Sequence, residues 1–367
     1  MPTPGESKLV LLCAGGTGGH LFPAESLAIV LDRRGLTVDL ATDHRAAHFK
    51  FPARNVYLIP SATLRSRGPL GVLRTAALLT FGTWKASRML KRARPAAVVG
   101  FGGYPTVPPL MAATMRNIAT VLHEQNGVMG RANRMLAARV TTIATGFRTL
   151  KNADGPVQSK ITFTGNPVRP AVLEAAVIPY DSPRPGGPLK LLVFGGSQGA
   201  RVMSEIVPAA IERLDPALRA RLEVVQQARP EDLDAVRATY AGLGVKAVCQ
   251  SFFPDLPARI AAAHLIVSRS GASTVAELAA IGRPAILVPL PHALDQDQLA
   301  NAGVLESAGG AITVIQHDFS LERLAADLTG LAAAPDRLTT MAAAAKSAGT
   351  LDAAERLADL VIKTAGI

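Results

Sequence analysis

At 367 residues the chain exceeds one typical hydrophobic core, so two domains are expected. Its 49% hydrophobic and 18% charged residues exclude a disordered chain, and Cys13 and Cys249, in apolar strand-like runs without metal-ligand spacing, suit a reducing cytoplasm. The formal net charge of +11 is local: twelve cations and no acidic residue lie between Asp43 and Glu124, so an anionic partner is expected for the N-terminal half.

The first seven residues, MPTPGES, lack the features of a secretory signal, and no apolar run approaches the length of a bilayer span, so a soluble chain is expected. The first predicted strand, 8–13, breaks into GGTGGH at 15–20, and a helix follows. Glycine turns of this kind let backbone N–H groups approach an anion at a helix N-terminus. After a predicted strand at 37–41 comes Asp43. An acid at this distance beyond a glycine turn keeps a nicotinamide-dependent dehydrogenase open, although Leu21 stands where that fingerprint has its third glycine.

Within the acid-free block, GVLRTAALLTFGTWKASRMLKRARP can form a helix that places Leu73, Ala77, Phe81 and Trp84 on one face. Lys85, Arg88, Lys91, Arg92 and Arg94 follow at its end. Two readings stand: the stripe packs on its own domain above a cationic last turn favoured by the helix dipole, or it docks on an anionic membrane surface. Gly82 weakens a long continuous helix here. Few aromatic residues interleave the cations, which argues against a nucleic-acid binder.

Further strands are predicted at 97–101, 119–123, 140–144 and 161–164, and turns reading FGGYP, HEQN and GNPVR fall at strand ends. Residues 181–188, DSPRPGGP, can continue neither helix nor strand and read as an interdomain linker. A strand at 190–194 then runs into a second glycine turn, FGGSQGA. Neither turn has the lysine of a Walker loop. Strands follow at 222–226, 264–268 and 285–289, with SRSGASTVAE at the end of the second of these. The closing TLDAAERLADLVIKTAGI carries a capping box from Asp352 to Glu355, one apolar face of Ala354, Leu357 and Val361, and a terminal Gly366. Strands alternating with alanine-rich helices predict an α/β chain of two Rossmann-like halves with parallel sheets. Ligands of such sheets bind beyond the carboxyl ends of the strands, so these turns are expected to converge on a cleft between the halves.

GGTGGH, GGYP, LHEQN, GNPVR, FGGSQGA, SRSGASTVAELAAIGRPAILVPLPHA and DQDQLANA, in order from about residue 8 to residue 302, closely resemble the peripheral-membrane N-acetylglucosaminyltransferases of peptidoglycan synthesis. That family moves GlcNAc from UDP-GlcNAc onto undecaprenyl-diphospho-N-acetylmuramoyl-pentapeptide, converting lipid I to lipid II. The resemblance implies the GT-B architecture. It divides the chain into an N-terminal acceptor and membrane domain (1–165), a linker (166–188), a C-terminal donor domain (189–345) and a last helix (346–367) crossing back to the first domain.

It also implies roles. Ser197 and the segment Ala272, Ser273, Thr274, Val275 and Ala276 match the donor diphosphate site. Glu277 matches the ribose-binding acid, and Phe253 the position whose backbone meets the uracil. Gln298 and Asp297 match the pair that reads sugar hydroxyls. Thr17, Gly18, Gly19, Asn126 and Arg169 match positions that close on the donor from the other domain and linker, while Gly103, Tyr104, His123 and Glu124 are acceptor-binding candidates. His20 is the expected general base for the muramoyl 4-hydroxyl, kept neutral by the positive end of its helix.

Two departures stand out. Gln226, Gln227, Ala228 and Arg229 replace the family's histidine-glutamine-small-glycine loop, and Asp297 replaces a histidine or glutamine. Asp295 and Asp297 have D-x-D spacing but read as sugar-facing or surface residues. No metal and no tightly bound cofactor are expected, because backbone dipoles are expected to stabilise the leaving diphosphate. The expected location is the cytoplasmic face of the inner membrane, with lipid I, UDP-GlcNAc, anionic lipid and other cell-wall synthesis and division proteins as partners. A transferase acting on diacylglycerol would share the donor half and differ over 60–130.

Overall fold

A computed structural model of the chain describes residues 8–15, 18–46, 50–61, 69–196, 199–291 and 296–367. Thr17, Ser197 and Asp295 therefore lie outside the described residues. Two compact units divide the chain, one of Met1–Arg169 with Leu351–Ile367 and one of Pro170–Thr350.

In the first unit β1 (Leu9–Cys13), β2 (Thr37–Thr42), β3 (Val56–Leu58), β4 (Ala97–Gly100), β5 (Ala119–Glu124), β6 (Thr142–Thr145) and β7 (Ile161–Phe163) form one parallel sheet in the order β3-β2-β1-β4-β5-β6-β7. LVLLC forms the central strand because a strand covered on both faces needs a continuous apolar run. Alternate residues go to opposite faces. Val10 and Leu12 join Leu27 and Leu31 of α1 (Gly18–Arg33) in one cluster. Leu11 and Cys13 join the other, with Ala86 and Leu90 of α2 (Pro69–Ala93), Leu110 of α3 (Val107–Met115) and Leu136 of α4 (Arg131–Ala137).

The second unit repeats the plan with β8 (Leu189–Phe194), β9 (Leu222–Gln227), β10 (Lys246–Gln250), β11 (Leu265–Ser268), β12 (Ala285–Leu287) and β13 (Ala311–Thr313), all parallel, ordered β10-β9-β8-β11-β12-β13. Its helices in chain order are α5 (Pro170–Ala176), α6 (Arg201–Glu212), α7 (Pro216–Arg219), α8 (Leu233–Gly242), α9 (Leu256–Ala262), α10 (Ala272–Ile281), α11 (Asp297–Ala308), α12 (Leu321–Ala332) and α13 (Pro335–Ser347). Leu191 and Val193 bury one sheet face against Met203, Val207, Val236, Leu324 and Leu328.

The stretch 166–188, expected as a linker, carries structure. Its residues from 170 onward belong to the second unit, where α5 packs on α9 and α10. The buried Arg283 guanidinium donates to the carbonyls of Ile178 and Pro179, each at 3.1 Å, and to Ala261. A buried guanidinium is tolerated where carbonyl acceptors surround it, and this one fastens the connecting segment.

The closing helix α14 (Ala353–Ala365) packs on α1 and lays Leu357, Ala358 and Val361 into the first unit's core. Burying Leu357 and Val361 contributes about 1.5–3 kcal/mol each. The exposed pairs Arg33–Glu355 and Arg34–Asp359, both at 2.6 Å, contribute about 0–1 kcal/mol each, so packing holds the helix. The expected capping box does not form: the Asp352 carboxylate accepts from Arg356 Nε at 2.9 Å and caps no backbone N–H.

Helix α2 is continuous through Gly82 over 25 residues. A side chain at position 82 would strike the Pro60 carbonyl and Pro108, so glycine allows close approach there rather than breaking the helix. The apolar stripe faces outward: Leu73 is 68% exposed, Phe81 52% and Trp84 53%. Phe81 and Trp84 stack at 5.9 Å, and the Arg88 guanidinium lies 4.6 Å over the Trp84 ring. Among the described residues, no helix is long and apolar enough to cross a membrane.

Candidate active site

Each sheet reverses its strand order at one pair, β1/β4 in the first unit and β8/β11 in the second. Crevices for ligands form beyond the carboxyl ends of parallel strands at such points. The expected site residues fall largely on these loops and their neighbours.

In the first unit His20 stands in the opening turn of α1. Its Nδ1 lies 3.1 Å from Gln125 Oε1, at the end of β5. Gly102 and Gly103 follow β4 with φ of +83° and +76°, a region that favours glycine. A Cβ on Gly103 would stand 3.5 Å from His20 Nε2, so the main chain passes beside that nitrogen with no side chain between. The His20 pKa is held below its ordinary value, in the expected direction. The leading cause is burial, partly opposed by the Gln125 side chain and the Phe101 carbonyl oxygen, which favour the charged ring, with the Arg45 charge adding to the depression. Burial therefore acts in the direction that keeps this imidazole neutral.

The acceptor-binding candidates His123 and Glu124 are both buried and hydrogen-bonded within the first unit. The His123 ring is fully buried, its Nε2 lies 3.1 Å from the Gly165 carbonyl, and burial lowers its pKa to about 4. Glu124 faces the other way. Its carboxylate accepts from Asn126 N at 3.0 Å, Asn126 Nδ2 at 3.2 Å, Gly130 N at 2.9 Å and Asn133 Nδ2 at 2.7 Å. Burial pushes its pKa up and these four donors pull it back. Glu124 thereby closes the 126–133 loop on itself, and the Asn126 amide is part of that closure. Tyr104 opens a short 3-10 turn after Gly103 and is partly exposed.

Gly18 packs against the Phe22 ring, and Gly19 is exposed. Arg169 lays its guanidinium 4.4 Å over the same Phe22 ring. Asp43, whose carboxylate would serve a dinucleotide ribose, is occupied by its neighbour: Arg45 NH2 reaches Oδ2 at 2.6 Å, and Arg45 N reaches Oδ1 at 2.9 Å. The acid that kept a dehydrogenase open is thus paired within its own loop.

Two residues that sequence reasoning passed over support this region. Gln125 sits at its centre. Asn166 donates to the Gln125 carbonyl at 2.9 Å and fills the space over Gly146. Both lie inside motifs already singled out, HEQN and GNPVR, but identity alone does not say which way an amide points.

In the second unit, Gly271 stands at the N-cap of α10 in extended conformation and has no side chain to cap that helix. The backbone N–H groups of Ala272, Ser273 and Thr274 open its first turn and are suited to an anion. Glu277 follows one turn later and is largely buried. Gly195 N donates to Gln227 Oε1 at 3.1 Å, so the divergent loop braces the second glycine turn. Gln226 is internal, bonded to Tyr240 and to the Met203 carbonyl. Phe253 is buried beneath the Arg259 guanidinium at 4.4 Å, while Phe252 beside it is exposed. At the start of α11, Gln298 Oε1 accepts from Leu290 N at 3.0 Å. Asp297 Oδ1 accepts from Gln298 N at 2.8 Å. Among the described residues, no cluster of three histidine, cysteine or acidic side chains is placed to hold a metal ion.

Residues 10–145 match the glycosyltransferase family 28 N-terminal domain and residues 190–357 the family 28 C-terminal domain. A Rhodopseudomonas palustris protein named UDP-N-acetylglucosamine–N-acetylmuramyl-(pentapeptide) pyrophosphoryl-undecaprenol N-acetylglucosamine transferase is 59% identical over 99% of this chain and 100% of its own length. A Bradyrhizobium protein of the same name is 58% identical over 99% of both. Among solved structures, that of Acinetobacter baumannii MurG superposes with a TM-score of 0.76 at 29% identity, covering 97% of this chain and 99% of its own.

Proposed function

This chain belongs to glycosyltransferase family 28, and from that premise we infer a transferase that moves GlcNAc from UDP-GlcNAc to lipid I, giving lipid II. It is a UDP-GlcNAc-dependent enzyme of peptidoglycan synthesis. The second unit takes the donor: the α10 N-terminus and the glycine turn after β8 receive the diphosphate, Glu277 the ribose, and Gln298 the sugar hydroxyls. The first unit supplies the base.

The observation that carries the chemistry is the environment of His20, neutral through burial, with Nε2 beside side-chain-free Gly103. In one displacement the muramoyl 4-hydroxyl gives its proton to Nε2 and its oxygen bonds to the anomeric carbon of GlcNAc. The bond from that carbon to the diphosphate oxygen breaks, and UDP leaves with the electron pair. The α-linked sugar is thereby inverted to a β-1,4 link. Hydrogen-bond donors at a helix start stabilise the developing charge, a role that needs no resident cofactor.

The acceptor carries a polyprenyl chain that stays in the bilayer, so the enzyme docks at the cytoplasmic membrane surface. Exposed Leu73, Phe81 and Trp84 beside Lys85 and Arg88 support α2 as the docking face. Other cell-wall synthesis and division proteins are proposed partners at that surface. Turnover of UDP-GlcNAc with a short-chain lipid I analogue tests the reaction. His20→Ala is expected to lower kcat by roughly 10²–10⁴ with donor binding intact, as for loss of a general base. A loss under about tenfold removes the base role.

A further inference from the structure

We propose that Gln125 is a positioning residue that sets which nitrogen of His20 carries the proton, through a hydrogen-bonded chain from the Gly165 carbonyl through His123 and Gln125 to His20. The inference rests on the base role given to His20 above, and it follows from which atoms can donate.

Gln125 Nε2 lies 2.9 Å from the Phe101 carbonyl oxygen, which only accepts. That contact fixes the orientation of the amide, with Nε2 toward Phe101 and Oε1 toward His20. Since Oε1 has no hydrogen, His20 Nδ1 at 3.1 Å must be the donor. Gln125 Nε2 also meets His123 Nδ1 at 3.2 Å, so that ring nitrogen accepts. The other nitrogen of His123, Nε2, then carries its proton and donates to the Gly165 carbonyl at 3.1 Å. Each ring is held in one neutral tautomer, and the two are opposite. His20 is protonated on Nδ1, which leaves the Nε2 lone pair, beside Gly103, to take the acceptor proton.

A neutral amide at this place differs from the carboxylate that orients histidine in hydrolase triads. It selects the tautomer without a charge that would favour imidazolium. The selection is also rigid, because Asn166 holds the Gln125 backbone carbonyl at 2.9 Å. Among the described residues, the charge acting on the His20 ring is that of Arg45, which is paired with Asp43, while Glu124 faces away and is held by four donors of its own loop.

Full-length protein with ¹⁵N-labelled histidine tests this directly, the His20 signals being assigned by their loss in His20→Ala. Neutral His20 is expected to show hydrogen on Nδ1 in the wild type. Finding it on Nε2 overturns the proposal, whatever the activity. Gln125→Met should abolish the Nδ1 preference and lower kcat about tenfold or more with little change in KM for UDP-GlcNAc. In a His20→Ala background the same substitution should have little further effect on kcat, because the pair acts as a unit. Equal losses in both backgrounds would mean a structural role only and overturn the proposal. Gln125→Glu keeps an acceptor for Nδ1 but adds charge. It should retain the tautomer and move the acid limb of the kcat profile to higher pH, and an unmoved limb counts against the chain. If the tautomer is as assigned but His20→Ala keeps full activity, the positioning stands and the base reading fails.

Discussion

Replacing Glu124 with glutamine separates a buried structural carboxylate from an acceptor contact. In the wild type both carboxylate oxygens are filled, Oε1 by two donors from Asn126 and Oε2 by Gly130 N and Asn133 Nδ2. Glutamine has nearly the same shape, but one of its ends is an NH2 that must face two of these donors. One side of the cluster then loses two hydrogen bonds to a charged group and leaves buried N–H groups unpaired. Unpaired buried donors and lost charge-assisted bonds together make a cost of about 3 kcal/mol a reasonable lower figure. For a unit of this size that corresponds to a fall of roughly 6–12 °C in its melting temperature. Because two units unfold, the transition to follow is that of the first, read by hydrogen exchange in the 126–133 loop alongside calorimetry. Unchanged melting and exchange with a raised KM for the lipid acceptor would refute the reasoning and return Glu124 to the acceptor site.

Glu277→Gln should weaken UDP as well as UDP-GlcNAc in calorimetry, since both carry the ribose, and unchanged UDP affinity in a folded variant leaves Glu277 only a helix-stabilising role. The first unit should lose stability as pH falls from about 6.5 to about 4, because the unfolded chain protonates His123 before the folded one does, and the loss should reach about 3 kcal/mol in urea unfolding across that range. Gly82→Ala should lower the melting temperature despite alanine's better helix propensity, the clash with Pro60 and Pro108 costing about 1–3 kcal/mol; a rise would contradict the packing of α2. Charge reversal at Lys85, Arg88 and Lys91 should release the protein from anionic vesicles in cosedimentation, and a folded triple variant that still pellets would place the docking face elsewhere.

The parallel-sheet plan was legible because its central strands are apolar on both faces, and continuous runs such as LVLLC and LLVF have few other uses in a globular chain. What escaped were three of the four edge strands, since the fourth, Ile161–Phe163, is the strand expected at 161–164. Val56–Leu58, Lys246–Gln250 and Ala311–Thr313 pair on one side only, and two of these strands are short and one carries charged and exposed residues. Periodicity is too weak there to announce a strand. Gly82 was misread for a related reason: propensity describes the helix alone, whereas the Pro60 carbonyl that demands a glycine comes from a distant loop.

The site divides along the same line. Glycine turns and their positions beyond strand ends could be read, because positive φ and anion binding are local properties of the backbone. Which side chains of HEQN meet a substrate could not, and both His123 and Glu124 stood with Gly103 and Tyr104 as acceptor candidates. Strand geometry already separates them. Side chains two apart share a face, so His123 and Gln125 point together toward His20, and Glu124 between them points to Asn133. The side chain that reaches His20 from this motif is therefore the neutral amide, and the acid next to it serves the loop. Reading a motif at strand period before assigning chemistry would have given Gln125 its place, while its role as an acceptor for Nδ1–H still required the Phe101 carbonyl to say which end of the amide faces the base.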